Sequence, residues 1–287
     1  MTPSPPVISG SIEAEGVELE SFRRLAHSRF GIVLPDNAES FLNSRLRTLM
    51  ERTGHRDLET LLRSAEMESN GDLFIDIVEQ LSTNHSYFYR EPAHFEFLTT
   101  VALPELTERL RRERSRDLRI WSAAAAAGEE AYSIAMAMRS FYGAHYKDLD
   151  AGVLATDIAK RSLQRGAEGV YRSETFRHIP QAWREAYLQP VDDDSYRVIK
   201  EVREDVMFRW LNLVGPMTAL RGGFHVIFCR NVMIYFDAPT RERLVQSLNH
   251  LLAPGGYLLI GHTDDAEFAR KYLDQLRPAI FRKRVKS

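Results

Sequence analysis

Residues Ile120–Met138 read IWSAAAAAGEEAYSIAMAM, and the fold turns on how this run is divided. Alanine is the best helix former, so composition alone suggests one long helix. The flanks argue for a division. LRIWS carries branched and aromatic residues after a charged lead-in, as a strand does. EEAYSIAMAM spaces Tyr132, Ala135, Met136 and Met138 so that one helical face meets a sheet. Gly128 stands between the two. The alanines then become a strand tip and a loop, where small side chains let backbone approach a ligand and the next helix offers free amides. Glu129 and Glu130 fall in the first helical turn, where the macrodipole favours carboxylates, so helix capping accounts for both.

The same alternation runs outward from this stretch. AGVLATDI, FHVIFC, YLLIGH and AIFRKRV are of strand length, and AKRSLQRGAEGVY and TRERLVQSLNHLL are helical. Strand then helix, repeated, predicts a parallel sheet covered on both faces. Ligands of such sheets bind at the carboxyl ends of the strands. GVLATDI ends in Asp157, 29 residues after Gly128, and an acid at that strand tip commonly holds ribose hydroxyls. The chain has no G-x-G-x-x-G, and no lysine follows the loop glycine as in a phosphate-cradling loop. A nucleoside cofactor without phosphates is favoured, with S-adenosylmethionine the obvious choice.

Residues 96–287 are expected to form this sheet domain. Within it, 174–205 break the alternation, and the polar turn PVDDDS predicts an inserted β-hairpin subdomain, serving either partner recognition or decoration. Residues 17–95 read as a helical domain and linker, with apolar stripes through Phe22, Leu25 and Phe30, then Leu46, Leu49 and Met50, then Leu58, Leu61 and Leu62. Its second helix carries Arg45, Arg47 and Arg52. They are either a solvated surface or a docking face for an acidic partner helix. Residues 1–16, rich in Pro, Ser, Gly and acids, read as a disordered leader.

Bulk properties exclude several classes. A net charge of -2 over 287 residues gives no global field toward nucleic acid. No apolar run approaches the roughly 18 residues of a membrane span. The single cysteine, Cys229, forms no internal disulfide, which fits a cytoplasmic setting. None of the nine histidines has metal-ligand spacing along the chain, so no metal is expected.

Four stretches in order, STNHSYFYRE (82–91), WSAAAAAGEEAYSIAM (121–136), FCRNVMIYFD (228–237) and LAPGGYLLIGHTD (252–264), resemble the CheR-type chemotaxis receptor glutamate methyltransferases. CRNVMIYF is the most specific of them. The resemblance implies a helical N-terminal domain joined to a class I S-adenosylmethionine-dependent methyltransferase domain, a Rossmann-like α/β sheet with an inserted β-subdomain. It implies transfer of a methyl group to glutamate carboxylates in the cytoplasmic helical domain of chemoreceptors, with S-adenosylhomocysteine as product. It also implies no nucleic acid partner and no membrane insertion. A monomer is the default expectation.

By that resemblance, Asn84, Ser86 and Arg90 line the methionine end of the cofactor. Glu130 holds its amino acid portion and Asp157 its ribose. Asn212 and Leu213 lie at the adenine side, and Arg230 and Asn231 close the pocket at the fourth strand's tip. Arg90 and Tyr235 face the transfer site; the bland alternatives are an Arg90–Glu91 ion pair and a Tyr235 in the core. A carboxylate of ordinary pKa near ~4.3 is ionised at neutral pH, so no general base is needed and in-line positioning carries catalysis. The sequence departs from the family at Ala126 and Ala127, where Ser and Thr are usual, and at Asp264, where Glu is usual. The alternative reading is therefore a non-catalytic module that binds S-adenosylmethionine or S-adenosylhomocysteine.

Overall fold

The structure is a computed structural model that describes residues 16–34, 38–68, 71–81, 86–265 and 267–285. The expected leader lies outside the described residues except for Gly16. The chain divides into two units, Met1–Thr83 and Asn84–Ser287.

The first unit is helical, with α1 Gly16–Phe30, α2 Ala38–Thr53, α3 Leu58–Met67 and α4 Asp72–Leu81. Its core gathers the predicted stripes, with Phe22, Leu46, Leu58 and Leu61 fully buried. Phe30 stacks on Phe74 at 5.1 Å. The break at TGHRD has two local causes. Gly54 takes φ +74°, and the Asp57 carboxylate accepts from the Thr60 amide at 2.8 Å to cap α3. On α2, Arg45 is half-buried and Arg47 exposed. Arg52 pairs with Asp76 of α4 at 3.1 Å.

The second unit opens with α5 Pro92–Phe97 and α6 Leu103–Glu113, followed by β1 Asp117–Ala123, α7 Glu129–Tyr142, β2 Asp150–Asp157, α8 Lys160–Glu168 and β3 Val170–Arg172. Then come α9 Gln181–Tyr187, β4 Leu188–Pro190, β5 Ser195–Val198, α10 Lys200–Glu204, β6 Val206–Trp210 and β7 Phe224–Cys229. It closes with α11 Ala238–Leu251, β8 Leu252–Ile260, α12 Glu267–Tyr272, β9 Leu273–Arg277 and β10 Ile280–Lys283. The seven-stranded sheet has the order β6-β2-β1-β7-β8-β10-β9. β6, β2, β1, β7 and β8 run parallel, β10 runs antiparallel to β8, and the edge strand β9 runs antiparallel to β10. β1 has β2 on one side and β7 on the other, with Ser122 beside both Ala155 and Phe228. The strand order reverses there, at the start of the alanine run.

Two sequence boundaries shift. The division between units falls at 83/84 rather than 95/96, because Phe88, Phe95 and Phe97 are buried in the sheet domain's core. The inserted subdomain begins at Val170 rather than 174: GVY, expected to close a helix, forms β3, and Tyr171 pairs with Tyr196 in a three-stranded antiparallel sheet ordered β3-β5-β4. Gly169 at φ +66° ends α8 and turns the chain into that strand.

Candidate active site

The alanine run is a loop. β1 stops at Ala123, after which Ala124 and Ala126 adopt left-handed φ of 61° and 49°, a conformation that no helix tolerates. Backbone groups hold it. The Ala125 amide donates to the Thr156 carbonyl at 2.9 Å. The Ala126 amide donates to Asp157 Oδ2 at 2.8 Å. The Tyr171 hydroxyl donates to the Ala127 carbonyl at 2.5 Å. Gly128, at φ +92°, must be glycine on two counts, since a Cβ there would also lie 2.7 Å from the Phe208 ring.

Asp157 thus clamps the loop at the tip of β2, and its other oxygen accepts from the Ala159 amide at 2.9 Å. A carboxylate offers about four acceptor positions, so these two bonds do not saturate it. Burial pushes its carboxyl above the ordinary range. The Leu211 amide donates to the Asp157 carbonyl at 3.0 Å, which ties the segment carrying Asn212 and Leu213 to the same strand tip. Asn212 Oδ1 accepts from the Val214 amide at 3.0 Å, and Leu213 is buried.

A charged network lies at the tips of β1 and β7. Arg230 is 5% exposed. Its Nη1 donates to Glu130 Oε2 at 2.8 Å, and Ser122 Oγ donates to Glu130 Oε1 at 2.7 Å. Its Nη2 donates to the Arg90 carbonyl at 2.7 Å and stands 3.0 Å from Glu91 Oε2. Asn231, with φ 57°, donates through its amide to Asp264 Oδ2 at 2.7 Å, and the Gly261 amide donates to the same oxygen at 2.8 Å. Asp264 therefore sets the turn that carries Asn231.

Of the other residues singled out, Asn84 lies outside the described residues. Ser86 and Arg90 are half-buried, and the Arg90 guanidinium lies 5.9 Å from the centre of the Tyr87 ring. Tyr235 is half-buried on the short 3-10 turn Met233–Tyr235, just after Asn231, so it is not a core residue. Arg45, Arg47 and Arg52 belong to the other unit.

Sequence reasoning missed one residue. Glu129 is more than a capping residue of the first helical turn, although its carboxylate accepts from its own backbone amide. It is 7% exposed, and its Oε2 has no hydrogen-bond partner among the described residues. Burial pushes its carboxyl up to about 7, against the lesser pull of its own backbone amide, Arg165 and Ser86. The pair of acids after Gly128 was the available signal. Capping satisfied it too cheaply, because burial is not visible in a local pattern.

Glu129, Glu130 and Asp157 make the loop's surroundings acidic, a donor set that suits a cationic ligand and disfavours phosphate. A nucleoside-type site at the switch point of a parallel sheet, lined by acids rather than phosphate-binding amides and lysines, defines a Rossmann-like methyltransferase fold of class I. The comparisons with known proteins agree. The CheR methyltransferase all-alpha domain matches residues 17–82, and the CheR methyltransferase SAM binding domain matches residues 84–278. The chain belongs to the CheR methyltransferase family. It is 34% identical to a chemotaxis protein methyltransferase of Borreliella burgdorferi, over 93% of this chain and 94% of that protein. It is also 34% identical to a chemotaxis protein methyltransferase of Escherichia coli, over 85% and 84% of the two chains. Chemotaxis protein methyltransferase 1 of Pseudomonas aeruginosa is 33% identical over 88% of this chain and 92% of that protein.

Proposed function

We propose that the chain is an S-adenosylmethionine-dependent protein-glutamate O-methyltransferase that esterifies glutamate side chains in the cytoplasmic helical domain of chemoreceptors. The observation that carries this reading is the buried Arg230. It joins Glu130, beside the alanine loop, to the backbone of Arg90, so one rigid network orients both an acid and a cation.

In this reading S-adenosylmethionine, when bound, supplies an electrophilic methyl group on a sulfonium. Glu130 faces its ammonium group, Asp157 its ribose, and Asn212 and Leu213 its adenine. Gly128 lets the loop backbone approach. Ser86, Asn84 and Asn231 complete the pocket, and Arg230 acts beneath it. Arg90 orients the substrate carboxylate with paired hydrogen bonds, and Tyr235 supplies a second donor. The substrate is ionised already, so these residues position it and remove no proton. Negative charge is lost along the reaction, so Arg90 must orient the carboxylate without stabilising it strongly.

The missing hydroxyls at Ala126 and Ala127 favour the non-catalytic alternative only if the loop needs them. Its bonds run through the Ala125 and Ala126 amides and the Ala127 carbonyl, which any residue supplies. That supports the catalytic reading. Arg45, Arg47 and Arg52 are the proposed docking residues for an acidic receptor helix, with Arg52 exchanging Asp76 for the partner. The chain acts as a cytoplasmic monomer in this reading. Among the described residues, no helix is long and apolar enough to cross a membrane.

The test is base-labile methyl transfer. The protein is mixed with methyl-labelled S-adenosylmethionine and receptor cytoplasmic fragments, treated with alkali, and volatile methanol is counted. Labelled methanol that disappears in Arg90→Ala supports the reading. Cofactor binding without transfer moves the chain to the non-catalytic class.

A further inference from the structure

Arg90 sits between two residues in left-handed conformations, Tyr89 at φ 61° and Glu91 at φ 58°. Neither is glycine, and such backbone costs on the order of 1–3 kcal/mol per residue unless its surroundings over-determine it. The Tyr89 side has ordinary support: the Phe88 amide donates to the Thr175 carbonyl at 3.1 Å and the Tyr89 amide to Ser133 Oγ at 2.9 Å. The Glu91 side is held by charge.

Five nitrogen atoms from three separate segments converge on the Glu91 carboxylate. Around Oε2 stand Arg230 Nη2 at 3.0 Å, His94 Nδ1 at 3.2 Å and His262 Nδ1 at 3.4 Å. Around Oε1 stand Asn231 Nδ2 and the His262 amide, each at 3.5 Å. Oε2 makes no aligned hydrogen bond, so its contacts act through charge and dipole rather than through one strong bond. Burial opposes ionisation of Glu91, yet Arg230 above all holds its carboxyl below the ordinary range. His94 is fully buried, and burial together with Arg230 lowers it to about 3, so it is neutral at physiological pH.

Glu91, His94 and His262 also place ligand atoms within 4.8 Å of one another, the spacing of a metal site. The Arg230 guanidinium already faces the same carboxylate oxygen, however. A second cation would have to sit against it, and Glu91 already has its countercharge.

We infer that Glu91 is a positioning residue for methyl transfer: its carboxylate locks the left-handed turn that aims Arg90, acting through Arg230 and tying that turn to Asn231 and His262. The inference rests on the proposed function above. It makes Glu91 neither a cofactor contact nor a substrate contact. The device is a carboxylate that belongs to the same turn as the residue it aims.

The test compares wild type, Glu91→Gln, Arg90→Ala and the double variant. Glu91→Gln keeps the shape and removes the charge. Its kcat for ester formation is expected to fall about 10- to 100-fold, since a misplacement near 1 Å can cost that much. S-adenosylhomocysteine affinity by calorimetry should fall by less than kcat does, because Arg90 and Asn231 serve one end of the cofactor and the acids of the loop are untouched. Adding Glu91→Gln to Arg90→Ala should cost nothing further, since both changes remove one function. A kcat within about 2-fold of wild type, fully additive losses, or a joint collapse of cofactor affinity and thermal midpoint would each overturn the inference. So would stoichiometric metal in the purified protein that vanishes in His262→Ala. If wild type itself forms no ester, the proposed function fails, and amide exchange decides the positioning claim separately. Exchange at Tyr89 and His94, both hydrogen-bonded amides, should quicken in Glu91→Gln while β1 and β7 stay protected. Unchanged exchange there would overturn it.

Discussion

Two turns flank the candidate site, and both carry non-glycine residues at positive φ: the loop after β1 and the turn around Arg90. They are held by different means. The loop after β1 is fastened mainly through backbone amides and carbonyls, so its shape is nearly indifferent to the small side chains it displays. The turn around Arg90 is fastened by side chains, with the buried Arg230 between Glu91 and Glu130 and the buried His94 beside them. The first should tolerate sequence change and the second should not. The alanines offer no hydrogen-bonding side chain in one place, while an arginine, two glutamates and two histidines meet in the other.

The strongest test of that contrast is Arg230→Met. It leaves Glu130 and Glu91 facing each other without their shared cation, a loss expected to cost about 3–5 kcal/mol. Chemical denaturation should show it as a lowered midpoint with little change in slope. A cost under about 1 kcal/mol would mean that the network contributes little to holding the turn.

The next test concerns the acid that belongs to neither turn's framework. Glu129 is protonated in the folded protein up to about pH 7, against an ordinary value of 4.5. The folded state therefore binds the extra proton between those two values, and stability falls as pH rises from 4.5 through about 7. The rise corresponds to a penalty on the order of 3 kcal/mol, fully present above neutrality. Glu129→Gln should remove that penalty and flatten the decline of the thermal midpoint between pH 5 and 8, checked by scanning both proteins across that range. His94 works in the opposite sense. Its depressed value removes stability as pH falls from 6.5 toward about 3, so the acid limb should persist in Glu129→Gln.

Gly128→Ala probes the one point at which the backbone-held loop is sensitive. The left-handed φ and the Phe208 ring together predict a cost of about 1–3 kcal/mol and a clear loss of S-adenosylhomocysteine affinity by calorimetry. Smallest of all should be Ala126→Ser with Ala127→Thr. If backbone alone shapes the loop, cofactor affinity changes by less than about 3-fold, under roughly 0.7 kcal/mol. A gain of tenfold or more would show that the hydroxyls matter and would revive the weak-binding alternative.

The parts of the molecule legible in the sequence share a physical property: their signal is local. The stripes of the first unit, the strands β1, β2, β7 and β8 with their buried faces, and the break at Gly128 all follow from periodicity and from residue-level φ preferences. The edge strands were not legible. In β6 and β9 only the first residue is buried, so neither shows a buried run or an alternation to read. The start of the inserted sheet was hidden for a related reason, since β3 is a three-residue strand that follows directly on a helix.

The candidate site divides along the same line. The sequence by itself located the loop and strand tips where a ligand site is expected, because a strand tip, a glycine and an acid at the next strand tip are features of neighbouring residues, and the resemblance to a known family proposed roles for positions. It also placed small side chains in the loop after β1, where backbone can come close to a ligand. What only the tertiary structure decided is the state and purpose of the charges. Glu129 became a buried acid that holds its proton, and Glu91 became the meeting point of residues up to 171 positions away. Charge energies depend on distance and on exclusion of water, and both arise only when distant segments are folded against each other.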